Sequence, residues 1–209
     1  MRICPKAVRQ MPDSSYRDWD EVYRNYPAET LPWELGKPRK NLIALIENGK
    51  IQPGNALDLC CGIGTNTAYM AQSDFDVTAI DISKHALKLA MQKARKAKAD
   101  IEFVQASFVT LPFKDAGFDF VFDMGCFHHV EVEDRSEFIH GVRRVLKPKS
   151  KYQLTCFSDR NGPAWNHFTK EQIARYFSGK FKLIDLDQFG SVEGDGYTRF
   201  FHSVLMQPR

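Results

Sequence analysis

Apolar residues in this chain fall into two alternating rhythms. Short, nearly continuous apolar runs read as strands: ALDLCC (56–61), FDVTAI (75–80), IEFVQA (101–106), FDFVFDMG (118–125) and KYQLTCF (151–157). Between them, apolar positions recur every three or four residues, as on the buried face of a helix. Leu42, Ile43, Leu45 and Ile46 form such a stripe over Arg39–Asn48, with Gly49 as its stop. Thr67 to Gln72 predicts a short helix, and Ser83 can cap a longer one bearing Leu87, Ala90, Met91, Ala94 and Ala97. Glu137 to Leu146 turns Phe138, Ile139, Val142 and Val145 inward and is expected to stop at Pro148. FTKEQIARYF (168–177) follows, with Thr169 as its cap and Glu171 or Gln172 close to the capping-box position.

Two long apolar segments, FKLIDLDQFG (181–190) and YTRFFHSVLMQP (197–208), close the chain on either side of SVEGDG. So short a connection leaves no room for a crossover helix, so these strands must be antiparallel. The whole pattern predicts an α/β fold: a Rossmann-like, doubly wound, seven-stranded mixed sheet with its last strand antiparallel. Ahead of it, SYRDWDEVYRNYPAETLPWELGKP packs Trp19, Tyr23, Tyr26 and Trp33 among prolines. Ser15 to Arg24 is a candidate short helix, and Pro27 and Pro32 force an irregular run after it. Residues 1–36 are therefore expected to form an N-terminal helical and aromatic arm, either a lid or a packed extension, on a core at 37–209 within a single 209-residue domain.

The chemistry concentrates in NALDLCCGIGTNTAYMAQSDFDVTAIDIS (55–83), which runs strand, glycine turn, helix, strand, acid. Gly62 and Gly64 allow close approach of the backbone to a ligand, and the helix behind them aims free N–H groups at the same place. Asp58 ends the strand before the turn. Asp81 ends the next one, at the offset where a carboxylate accepts hydrogen bonds from a ribose diol; its other reading is a helix cap, a role for which Ser83 is better placed. The third glycine of a dinucleotide site is missing, and no GK[ST] follows, which excludes a P-loop.

Composition narrows the setting. A 43% hydrophobic content suits one globular domain, and the net charge of +3 is too mild to imply a polyanionic partner. The lysine-rich face of the helix after Ser83 reads as solvated surface, which disfavours a nucleic-acid partner. No run of about 18 apolar residues predicts a membrane span, and the first residues lack the apolar centre of a secretory signal. Cys4, Cys60, Cys61, Cys126 and Cys156 show no zinc spacing. Reduced thiols, no metal and a cytoplasmic location are the expectation. Adjacent Cys60 and Cys61 would point to opposite faces of the first strand, and Cys126 reads as a small buried residue.

On these residues the chain resembles the class I S-adenosylmethionine-dependent methyltransferases along essentially its whole length. The family's first motif, an acid followed by alternating glycines, falls on Asp58, Cys60, Gly62 and Gly64, with Cys60 in place of the first glycine. Asp81 matches the ribose-binding acid, and Ile82 would lie against the adenine. Ser107 stands where the family has an acid that reaches the adenine amino group, and the Phe108 backbone would serve the ring nitrogen. FDFVFDMGCFHHV resembles the segment beside the transferable methyl, with Met124 and Gly125 bordering the methionine part. Tyr23, ten residues before Trp33, is similar to the thiopurine and tellurite methyltransferase-like branch, where an aromatic arm closes over the carboxylate end of the cofactor. The resemblance implies S-adenosylmethionine as cofactor, S-adenosylhomocysteine as product, and a small acceptor such as a thiol or other soft nucleophile.

Methyl transfer from a sulfonium is an in-line displacement that needs alignment and exclusion of water, with no metal or covalent nucleophile. His128 and His129, just past the fourth strand, are candidate bases for an acceptor that carries a proton; packing with a hydrogen bond is their alternative. Two further readings share the βαβ unit: an NAD(P)-dependent oxidoreductase, and a non-catalytic S-adenosylmethionine-binding module.

Overall fold

A computed structural model describes residues 18–209. The expected helix start at Ser15 and the thiol of Cys4 lie outside these residues. Helix α1 (Trp19–Asn25) opens on Asp18, whose side chain accepts from the Glu21 N–H. A 3₁₀ turn at Ala28–Thr30 and an irregular stretch follow, as the prolines require, before α2 (Lys40–Glu47).

The core alternates β1 (Asn55–Leu59), α3 (Thr65–Gln72), β2 (Asp76–Asp81), α4 (Lys84–Ala97), β3 (Ile101–Gln105), β4 (Phe118–Met124), α5 (Arg135–Val145), β5 (Leu146–Phe157), α6 (Lys170–Phe177), β6 (Phe181–Val192) and β7 (Thr198–Pro208). The strands form one sheet in the order β3-β2-β1-β4-β5-β7-β6. β1 to β5 pair in parallel, and β7 runs antiparallel to both β5 and β6. This is the mixed seven-stranded sheet expected from the apolar runs and the short final hairpin.

The helices cover both faces, as strands buried on two sides demand. Leu57 and Leu59 of β1 join Val121, Tyr152, Leu154 and the α5 and α6 residues Phe138, Val142, Ile173 and Phe177 in one core. Ala56, Phe120 and Phe122 face the other way, onto Leu42 and Leu45 of α2 and Met70 of α3. The helix caps follow the local signals. Ser83 accepts from Ala86 N–H, and Thr169 and Gln172 form a reciprocal capping box. At two boundaries the difference from expectation has a local cause. α3 begins at Thr65 because Gly64, with φ of 75°, is its cap. β5 begins at Leu146, directly after α5, and Pro148 falls inside a register irregularity, where the ladder does not need its missing N–H. Among the described residues, no helix is long and apolar enough to cross a membrane.

Candidate active site

Because β1, β2 and β4 are parallel neighbours, their C-terminal ends share one edge of the sheet. The loops leaving that edge surround a cavity of about 410 Å³, within the range of small-molecule sites. Tyr23, Trp33, Asp58, Gly62, Asp81, Ile82, Phe108, Met124, His128 and His129 all line it. Gly64 and Ser107 are outside the lining.

The turn after β1 explains its own composition. Cys60 leaves the strand with φ of 52° and Gly62 follows at 56°. A Cβ on Gly62 would stand 2.8 Å from the Tyr23 hydroxyl, so the arm can close on the turn only over a glycine. Gly64 serves packing instead: a Cβ there would stand 3.0 Å from the Ala90 side chain on α4. Asp81 accepts from Gly62 N–H and from Ser83 N–H, both at 2.9 Å, so its carboxylate ties the turn to the end of β2 while still lining the cavity. Asp58 accepts from the Thr67 hydroxyl at 2.5 Å. Burial pushes the Asp58 carboxyl up to about 7 against that hydrogen bond, and the charges of Asp123 and Asp81 push the same way. Next to Asp81 in the chain, Ile82 is 49% exposed, an open apolar face on the cavity wall.

Past β4, the loop is shaped by Asp123, a residue sequence reasoning did not single out. Its carboxylate accepts from Cys126 N–H at 2.8 Å and from the Tyr152 hydroxyl at 2.9 Å. The signal was present as the acid inside the apolar run FDFVFDMG. The loop then turns into a 3₁₀ segment, Phe127–His129. Phe127 is fully buried against Phe138, Phe168 and Phe177 and anchors the segment, while the histidines beside it reach the cavity. His128 stacks on Phe157 at 3.9 Å between ring centroids, and its Nδ1 accepts from Phe157 N–H. Burial, with His129 and His167 nearby, holds His128 well below the usual imidazole range.

The cysteine expectation is corrected here. Cys60 stands at the turn and not within β1, so the opposite-face placement of Cys60 and Cys61 does not apply. Adjacency of β1 and β4 brings the Cα atoms of Cys60 and Cys126 to 5.7 Å, and the two are joined by a disulfide. Cys126 is buried, as expected, yet bonded and not a reduced thiol; Cys61 and Cys156 are free. Among the described residues, no group of three histidine, cysteine or acidic side chains is arranged to hold a metal ion.

The arm and the final hairpin form the outer wall. Trp33 donates its indole N–H to the Tyr23 hydroxyl at 3.1 Å, which brings together the two residues singled out as lid candidates. Asp20 accepts from Ser83 Oγ and His85 N–H and so docks α1 on the start of α4. Arg39 forms two charged hydrogen bonds with Glu193, at 2.7 and 2.8 Å, and donates to the Trp33 carbonyl. Gly194 N–H donates to the Pro32 carbonyl at 2.7 Å. Phe157, on which His128 stacks, lines the cavity together with Asn166, Arg199 and Phe201. The Arg39–Glu193 pair was not legible, because 154 positions separate the two residues and nothing local marks them. Ser107 turns its hydroxyl to the Val109 N–H, whereas Phe108 reaches the cavity.

Comparison with known proteins agrees with this architecture. Residues 56–149 match the family described as methyltransferase domain. The chain is 32% identical over 159 residues to probable thiol methyltransferase 2 of Arabidopsis thaliana, covering 74% of this chain and 68% of that one. It is 27% identical over 185 residues to 2-heptyl-1-hydroxyquinolin-4(1H)-one methyltransferase of Mycobacteroides abscessus, covering 85% and 78%. A solved structure reported under conversion of a disulfide bond into a thioacetal group during echinomycin biosynthesis superposes with a TM-score of 0.80 at 22% identity, over 90% of each chain. The chain belongs to the class I S-adenosylmethionine-dependent methyltransferases. It is a methyltransferase, with S-adenosylmethionine as cofactor and S-adenosylhomocysteine as product.

Proposed function

We propose that this protein methylates a small-molecule acceptor held between the β4 loop and the outer wall, and that the acceptor is a thiol or another soft nucleophile. One observation carries the reading: Asp58, Gly62, Asp81, Met124 and His128, from three different strand ends, converge on one cavity. The cavity suits the cofactor. Gly62 offers a backbone cradle with no room for a Cβ, Asp81 offers a carboxylate to a ribose diol, and Ile82 an apolar face to an adenine. In this reading Asp58 meets a cationic group, and Tyr23 with Trp33 closes over the carboxylate end; their shared place on the cavity wall and the hydrogen bond between Trp33 and Tyr23 support it. When bound, S-adenosylmethionine supplies an electrophilic methyl group. The chain's own residues then have to align the acceptor and keep water out. Aromatic walls from Trp19, Trp33, Phe157 and Phe201 suit a planar or apolar acceptor. The thiol methyltransferase relative supports the soft-nucleophile class.

Calorimetry with S-adenosylmethionine and S-adenosylhomocysteine tests the cofactor site; no heat at millimolar ligand with folded protein would sink it. Asp81→Ala removes the ribose acceptor and is expected to weaken binding by about 1.5–3 kcal/mol, the worth of a hydrogen bond to a charged group. Unchanged affinity would assign Asp81 to the turn alone. Transfer of labelled methyl to a panel of aromatic thiols and hydroxylated heterocycles tests the acceptor class.

A further inference from the structure

His128 can serve as a base only if a ring nitrogen is open to receive a proton, and its surroundings decide which nitrogen that is. Nδ1 accepts the Phe157 N–H at 3.2 Å. A neutral imidazole whose Nδ1 accepts carries its proton on Nε2. The ring is 4% exposed and lies within 18° of parallel to the Phe157 ring, at the end of β5, so the sheet itself fixes its orientation. Two other imidazoles bear on its charge: His129 from the same 3₁₀ turn, with ring centroids 4.5 Å apart, and His167 from the loop before α6, whose ring centroid lies 5.5 Å from that of Phe157. Together with burial they disfavour a second proton on the ring. The Nε2 edge lies beside Gly125, where a Cβ would stand 3.5 Å from Nε2, and His128 lines the cavity next to Met124. A larger residue than glycine at 125 would cover that edge.

We infer that His128 is a fixed hydrogen-bond donor to an acceptor that enters as its anion, an acidic S–H or O–H compound already deprotonated, and is not the base that removes the proton. The inference rests on the reading of this cavity as the methyl-transfer site. In the step it implies, the acceptor's electron pair forms the bond to the methyl carbon as the carbon–sulfur bond breaks and its pair returns to sulfur. The negative charge of the acceptor and the positive charge of the sulfonium cancel, and no proton moves. The Nε2–H holds and orients the anion by a charge-assisted hydrogen bond. An acceptor that keeps its proton would present a weaker partner to that donor.

Two measurements on the full chain test this. Nitrogen-15 spectra of the histidine rings, assigned with the His128→Gln variant, should show His128 as the Nε2–H tautomer without titration between about pH 6 and 9, a window that covers the usual imidazole range. An Nδ1–H tautomer or an imidazolium within that window overturns the inference. In the second measurement, 4-nitrophenol, whose anion is coloured, is titrated with protein saturated with S-adenosylhomocysteine. The bound phenol should be more acidic than the free phenol by about tenfold or more, as a hydrogen bond to a charged group warrants. His128→Gln, which keeps a donor, should retain most of that shift, and His128→Leu should lose it while still binding S-adenosylhomocysteine. Binding of the neutral phenol, or no phenol binding with S-adenosylhomocysteine in place, overturns the inference and leaves the cofactor reading standing. Failure of S-adenosylhomocysteine itself to bind removes both.

Discussion

Asp58 is the last residue but one of β1, near enough to Asp123 of β4 to feel its charge; Leu59 and Asp123 are register partners, and each carboxyl is raised by burial to about 7. Their folded values exceed those of the unfolded chain. The native protein therefore keeps protons that the unfolded chain gives up between about pH 4 and 7, and both groups reduce stability as pH rises through that window. A cation entering the cavity that Asp58 lines favours the carboxylate, so cofactor binding is expected to release a proton near pH 7. Calorimetry in two buffers of different ionisation enthalpy reads that release, and Asp58→Asn should abolish it. Equal heats in both buffers for the unaltered protein would place the cofactor's charge elsewhere. Asp58 was legible because an acid next to a glycine turn has few structural uses. Asp123 stood out only as an acid inside an apolar run, and its role was not readable, since it receives the N–H groups of a loop whose path depends on the whole sheet.

At the scale of elements, α1 is only seven residues long, too short to persist without tertiary support. That support comes from Val22 and Tyr23, buried with Leu31, Ile63 and Ala86, and from Asp20, which caps the start of a neighbouring helix as an N-cap residue would cap its own. Asp20→Ala should raise hydrogen exchange across Trp19–Asn25 by about fivefold, the equivalent of the usual 1 kcal/mol for a lost cap. It should also loosen cofactor binding, because Tyr23 rides on the same helix. Exchange rates identical to those of the unaltered chain would mean that apolar burial alone docks α1. The strands and the amphipathic helices were readable from period where their buried faces coincide with local pattern; all four apolar positions expected to face inward on α5 are buried, whereas Met91 of the α4 stripe is exposed. The start of β5 was not, because Pro148 marks a break in local hydrogen bonding and cannot say whether a helix has stopped or a ladder has bulged.

Across the whole molecule, one ion pair closes the cavity. Arg39 and Glu193 are 6% and 2% exposed, and they join the start of α2 to the β6–β7 turn. The Arg39 guanidinium also donates to the Trp33 carbonyl and lies 5.9 Å from the Phe201 ring centroid. Its backbone N–H meets Asn66 in the first turn of α3 at 2.9 Å. Arm, core and hairpin thus depend on a guanidinium whose removal leaves a buried carboxylate without its partner. Arg39→Ala should cost about 3–5 kcal/mol, more than the pair itself contributes, because an uncompensated buried charge remains. Arg39→Met with Glu193→Leu should recover most of that loss, since replacing both charges by apolar groups of similar volume is often neutral. Chemical denaturation of Arg39→Ala and of the double variant measures the difference. A double variant as unstable as Arg39→Ala would show that the contacts to Trp33 and Phe201, and not the buried charge, hold the wall. If the pair's main value is geometric, the double variant should refold to nearly full stability yet bind cofactor more weakly, with the arm and the hairpin no longer held in register over the site.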